Sequence, residues 1–187
     1  MKVNIKLLAF STFALLQLPA FADVLIGARA DNGRITVNYD SSVNSTYAAI
    51  YDNARNSWNG ISSRVSVYKT SSYNSDYDLY KVYFSPISDP GLFGVTAFYM
   101  KRQDGSYVLV NRSSDIFRTS ITIYDANITS DSIRQFVATH EVGHSLKLDH
   151  TTTTSPGNSV MFAAFYDALV TSPTNYDYGE LKRKWGQ

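Results

Sequence analysis

An α+β domain is what this chain predicts, on three observations. Short stretches alternate apolar with polar residues, as half-buried strands do. Three longer stretches repeat their apolar residues at three- and four-residue spacing, as helices do. The two kinds are interleaved along 187 residues without an internal repeat, a length that suits one domain with a real core.

The head of the chain reads as something apart. Met1 to Lys6 is short and basic, Leu7 to Leu18 is apolar, and Ala20-Phe21-Ala22 ends small-x-small. That is the pattern of a secretory signal peptide over residues 1–22, too short for a membrane anchor. Its removal from 187 residues leaves 165, residues 23–187, with fifteen basic against sixteen acidic side chains. No later run is apolar enough to span a bilayer, so the expectation is a secreted, extracellular, monomeric protein. The absence of cysteine means that packing or metals must hold it together, and favours a bacterial source. With no basic block and no alternation of basic and aromatic residues, nucleic acid is not an expected partner.

Asp31-Asn32-Gly33 is a turn signal, and Arg34 to Tyr39 alternates as a first strand. From Ser45 the period changes: Tyr47, Ile50, Tyr51, Ala54 and Trp58 share a helical face, which Asn59-Gly60 closes. That aromatic stripe reads as core. Arg64–Tyr68 and Leu79–Phe84 are two further strands, and the Ser-, Tyr- and Asp-rich stretch Thr70–Asp78 between them reads as an exposed loop. A metal role for Asp76 and Asp78 is conceivable, but a solvated loop is the simpler reading. Asp89-Pro90-Gly91 breaks the chain before Gly94–Met100, and Asp104-Gly105 turns it back into Tyr107–Val110, the clearest hairpin present. Thr119–Tyr124 is the last strand.

Ser130 then caps a helix opened by Asp131, whose Ile133, Phe136, Val137, His140 and His144 follow helical spacing. His140 and His144 therefore leave one face about one turn apart. These are two legs of a zinc tripod, and His150 supplies the third if the helix stops soon after His144 and the chain doubles back. Glu141 reaches the open side of such a metal, where it can take a proton from a water made acidic by the ion. An isolated H-E-x-x-H also arises by chance on exposed helices. Here, however, all three histidines of the chain fall within eleven residues, and Glu141 is one of only two glutamates. After a connector ending Ser155-Pro156-Gly157 comes Asn158 to Phe162. Ser172-Pro173 precedes a closing helix in which Tyr178, Leu181 and Trp185 share a face.

The stretch His140-Glu141-Val142-Gly143-His144-Ser145-Leu146-Lys147-Leu148-Asp149-His150 resembles the signature of the metzincin zinc peptidases, and within them most resembles the matrixins. It departs at Lys147, where the family has glycine at the helix end; a non-glycine residue at positive φ costs about 1–2 kcal/mol. The resemblance implies a zincin catalytic domain with a twisted five-stranded mixed sheet and three main helices. It implies one catalytic zinc on His140, His144 and His150, with Glu141 as general base. Met161 would be the methionine of the Met-turn beneath the metal. Phe162-Ala163-Ala164-Phe165 stands where the family has a Tyr-Pro-x-Tyr wall to its specificity pocket, so pocket preference does not carry over. The protein or peptide substrate is expected to lie extended along the edge strand Gly94–Tyr99, although an ordinary hairpin is an equal reading of those residues alone.

Other family features are missing from the sequence. There is no cysteine for a pro-segment thiol, no room for a pro-segment between Ala22 and the first strand, and no spare histidine for a structural zinc. A Ca2+ site among the fourteen aspartates is allowed but not placed. The expectation is thus a secreted zinc endopeptidase. One rival is an inactive zinc-binding domain for a protein or cell-surface partner, motivated by Lys147; another is a zinc hydrolase of cell-wall peptides.

Overall fold

The computed structural model describes residues 24–151, 157–163 and 169–187. The segment 1–22 read as a signal peptide, Thr152 to Pro156, and Ala164 and Phe165 lie outside these residues. The fold is α+β, with a six-stranded mixed sheet and three helices. The strands are β1 (Arg34–Tyr39), β2 (Ser66–Lys69), β3 (Asp78–Tyr83), β4 (Gly94–Lys101), β5 (Tyr107–Val110) and β6 (Arg118–Tyr124). The helices are α1 (Ser45–Trp58), α2 (Asp131–Ser145) and α3 (Asn175–Trp185).

The strand order is β2-β1-β3-β6-β4-β5. β1, β2, β3 and β6 run parallel, β4 is antiparallel to β6, and β5 is antiparallel to β4. The sheet therefore has one strand more than the five that the resemblance implies, and all six fall on stretches that read as strands in the sequence. The Asp104-Gly105 turn folds β5 back onto the far half of β4. Phe98 to Lys101 pair with Val110 to Tyr107, so among the described residues β4 is an open edge only from Gly94 to Ala97.

α1 and α2 pack on one face of the sheet. Ile35, Val37, Tyr80, Val82, Ile121 and Ile123 from the strands form one core with Tyr47, Tyr51, Ala54 and Trp58 of α1 and Phe136, Val137 and Val142 of α2. The stripe read from α1 is thus the core. Asn44 caps that helix by accepting from the Tyr47 N–H at 3.0 Å. Trp58 joins the two helices by donating its Nε1–H to the Thr139 carbonyl at 3.0 Å. In α3 the apolar face is rotated from the expected one. Leu181 is buried and Trp185 half-buried, but Tyr178 is exposed, and Asp177 is buried instead by a capping box with Thr174.

The loop reading of Asp78 also needs correction. It opens β3 fully buried and pairs with the buried guanidinium of Arg29 at 2.7 Å. Asp76 is engaged by Lys101 at 2.7 Å and by the Tyr107 hydroxyl. Arg29 belongs to a segment, Val24 to Ala30, that runs beneath the end of α2. Val24 bridges Leu148, the Leu25 N–H donates to the Lys147 carbonyl at 2.9 Å, and Arg29 bridges Ile116. No helix among the described residues is long and apolar enough to cross a membrane.

Candidate metal centre

Ser130 starts α2 by accepting from the Ile133 N–H, and the helix carries His140, Glu141 and His144 deep under the sheet, all three buried. It ends at once after Ser145. Leu146 is the C-cap, and Lys147 takes the left-handed conformation, φ 67°. The Lys147 N–H donates to the His144 carbonyl at 2.9 Å and the Leu148 N–H to the Gly143 carbonyl at 3.1 Å. These two bonds make a Schellman motif with Lys147 in the position that glycine usually fills. The turn sends the chain back, so that His150 faces the two helical histidines.

The three imidazoles converge. His150 Nε2 lies 3.1 Å from His144 Nε2 and 3.1 Å from His140 Nε2. His140 Nδ1 is 2.8 Å from the Val160 carbonyl, and His144 Nδ1 is 2.9 Å from the Leu148 carbonyl. A carbonyl only accepts, so both Nδ1 atoms carry the proton and both Nε2 atoms present bare lone pairs to His150. His150 Nε2 can give a proton to only one of them. Burial meanwhile lowers the pKa of His140 to about 4, that of His144 well below its usual value, and that of His150 in the same direction. Protonation therefore does not relieve the crowding near neutral pH.

A cation at the centre satisfies all three nitrogens. Tetrahedral zinc with Zn–N of about 2.0–2.1 Å sets neighbouring ligand atoms about 3.3–3.4 Å apart, within a few tenths of the spacing here. Backbone carbonyls orient the two helical rings from behind, as outer partners of metal ligands do. Among the described residues this is the one group of three or more His, Asp or Glu side chains placed to hold an ion.

Glu141 stands beside this group on the β4 side. Its Oε2 accepts from Thr96 Oγ1 at 2.6 Å. Burial pushes its pKa up to about 7, against the opposing pull of the Thr96 hydroxyl. Gly94 makes room for it: a Cβ there would lie 2.8 Å from Glu141 Oε1 and 2.7 Å from Val137 Cγ1. Met161 is buried, with its thioether against Gly143, where a Cβ would collide with the sulfur and press on Trp58. Its carbonyl accepts from the Thr151 N–H at 3.0 Å, tying its segment to the residue after the third histidine.

A hollow of about 170 Å3 opens next to the histidines, between Phe93, Gly94, Val137, His140, His150 and Phe162. A roomier one of about 250 Å3 at Arg29, Asp31, Arg34 and Asp76 contains none of the histidines. Three contributors to the centre are silent in the sequence. Val160 and Leu148 act through their carbonyls, which any residue has, and Thr96 looks like any strand threonine. Gly143 did carry a signal, a glycine inside a helix between two histidines, which a close neighbour such as Met161 explains. No protein-family model matches the chain, and a search of curated proteins finds no match.

Proposed function

We propose that this protein is a secreted zinc-dependent endopeptidase, a metzincin most like the matrixin catalytic domain, that hydrolyses peptide bonds of extracellular proteins. The observation that carries the reading is the meeting of three imidazole Nε2 atoms at 3.1 Å contacts beside the buried carboxylate of Glu141. His140, His144 and His150 would hold the ion. When bound, zinc supplies Lewis acidity, which polarises the scissile carbonyl and makes a water acidic near neutral pH.

The chain's own residues do the rest. Glu141 accepts the proton of the attacking water and delivers it to the departing amine nitrogen, one group serving as base and then as acid. Thr96 fixes the rotamer of that carboxylate, and the absent side chain of Gly94 lets it stand against β4. An extended peptide pairs with the open edge Gly94–Ala97 by backbone hydrogen bonds, while one of its side chains enters the apolar hollow at Phe93, Val137 and Phe162. Export by the segment 1–22 is part of the proposal, and N-terminal sequencing of protein from the medium should find Asp23 first.

Lys147 was the motive for reading the chain as an inactive binding module. Since Lys147 adopts the backbone conformation of the family glycine and His150 still turns inward, nothing here favours that alternative. The test is casein digestion with zinc-loaded wild type and Glu141→Ala. Wild type should cleave, and the variant should keep its zinc while losing about 10²–10⁴-fold in rate. Stoichiometric zinc with no cleavage of casein or of short peptides by wild type would refute the peptidase.

A further inference from the structure

Half of the edge that a substrate would use is already filled. β6 covers one side of β4, while on the other side β5 pairs with Phe98–Lys101 and leaves Gly94–Ala97 without a strand partner among the described residues. A peptide added beside Gly94–Ala97 lies in the same lane as β5, end to end with Val110. The chain leaves that lane at Asn111. The Asn111 carbonyl accepts from the Ser114 N–H and its side-chain oxygen from the Ser113 N–H, both at 2.9 Å, so a tight turn stands at the lane's end.

The turn is held firmly. Lys147, itself fully buried, donates from Nζ to the carbonyls of Arg112 at 2.6 Å and Ser114 at 2.8 Å. Ala28 N–H donates to Asp115 at 2.7 Å, and Ile116 N–H to the Ala28 carbonyl at 2.9 Å. Arg112 pairs with Asp149, the neighbour of His150, at 2.6 Å. The residue that ends the histidine-bearing helix thus also anchors the turn beside it.

We infer that β5 and the Asn111–Ser114 turn form a stop that admits only a short stretch of substrate on the N-terminal side of the scissile bond. The preferred substrates are therefore short peptides, or proteins cut close to their amino termini. This rests on the peptidase reading. Antiparallel pairing with β4, the more stable arrangement, points the peptide's N-terminal side at Val110. Glu141 stands against Gly94 and Thr96, so the reacting carbonyl lies abreast of them. At about 3.3 Å per residue, the lane from there to Val110 holds roughly two or three residues. A longer N-terminal segment must leave the lane or displace the turn.

The experiment uses zinc-loaded protein and a ladder of quenched fluorescent peptides with a fixed C-terminal side and one to eight residues before the cleaved bond. Expected is a kcat/KM that rises to about the third residue and falls about fivefold or more by the sixth, a differential loss of transition-state binding. Lys147→Gly keeps a residue suited to φ 67° but deletes both Nζ bonds to the turn. With zinc content unchanged, it should bring the long-to-short ratio back towards one. A wild-type profile that is flat or still rising at eight residues, or a penalty on C-terminal extensions instead, overturns the inference, and this arm decides alone should the variant not fold. Cleavage of no peptide by the zinc-bound protein would sink the peptidase reading itself.

Discussion

Arg29 and Asp78 are buried as deeply as His140 and His144, yet the two neighbourhoods are built on opposite terms. Arg29 donates to Asp31 at 2.8 Å, to the Ser145 carbonyl at 3.1 Å and to Asp78 at 2.7 Å. Asp78 also accepts from the Thr119 N–H at 2.8 Å and its hydroxyl at 2.5 Å. That lattice is complete without any ligand, and it clamps the segment Val24 to Ala30, β3, β6 and the end of α2 together. Around His140 the imidazoles are equally ordered from behind, by the Val160 and Leu148 carbonyls, but their front atoms face one another. A full set of partners marks a structural network, whereas pre-oriented donors that confront each other mark a place kept for something else.

Four substitutions or treatments break or sharpen this contrast. The largest effect on stability should come from Asp78→Ala, which leaves the Arg29 charge buried without its main partner. A loss of about 3–5 kcal/mol is expected, read from the urea midpoint with the slope unchanged. Next is the response to zinc. Wild type at a hundredfold excess over Kd should gain about 2.7 kcal/mol, and His144→Ala should gain almost none. The same zinc should stabilise Asp78→Ala as much as it stabilises wild type if the two networks are independent. Gly94→Ala is smaller and more specific: overpacking against Glu141 and Val137 should cost about 1–3 kcal/mol. Peptide cleavage should fall further than this predicts from stability, with zinc content intact.

The smallest effect concerns a surface counterpart of the Arg29 lattice. Asp125 is held below its usual pKa because, although burial acts to raise it, the Tyr47 hydroxyl at 2.6 Å and the Arg134 guanidinium at 2.7 Å outweigh that. Its folded value is depressed, so its stabilisation is present above the unfolded pKa of about 4 and is lost as pH falls through the folded value. Asp125→Asn should flatten the acid limb of a stability–pH curve below about pH 4 by under about 1 kcal/mol, because solvent still reaches the pair and screens it. It should leave zinc uptake as it is.

Much of the fold was legible because it depends on period. The α1 stripe from Tyr47 to Trp58, the alternation in β1 and the hairpin at Asp104-Gly105 are local signals, and each appears where the residues put it. The histidine cluster was legible for the same reason: spacing of four on a helix fixes two rings, and a third histidine six residues on demands an early helix stop. Lys147 sits at that stop with positive φ. What escaped depends on partners remote in sequence. Asp78 looks like loop until Arg29, 49 residues earlier, comes beside it. Tyr178 fits the apolar face of α3, but Asp177 beside it is the residue buried, because it accepts from Ser159, Val160 and Thr174, two of them remote in sequence. β5 was visible as a hairpin arm, yet its place in the sheet, and so the length of open edge on β4, follows only from its pairing with Phe98–Lys101.

The contrast between the two neighbourhoods turns on what the three facing nitrogens are for. Zinc-edge X-ray absorption on protein loaded with one equivalent of zinc tests this most directly. Expected are three imidazole nitrogens at about 2.0–2.1 Å, with one of them lost in His150→Ala. Failure to retain an equivalent of zinc, or a coordination shell that His150→Ala leaves unchanged, would contradict the account.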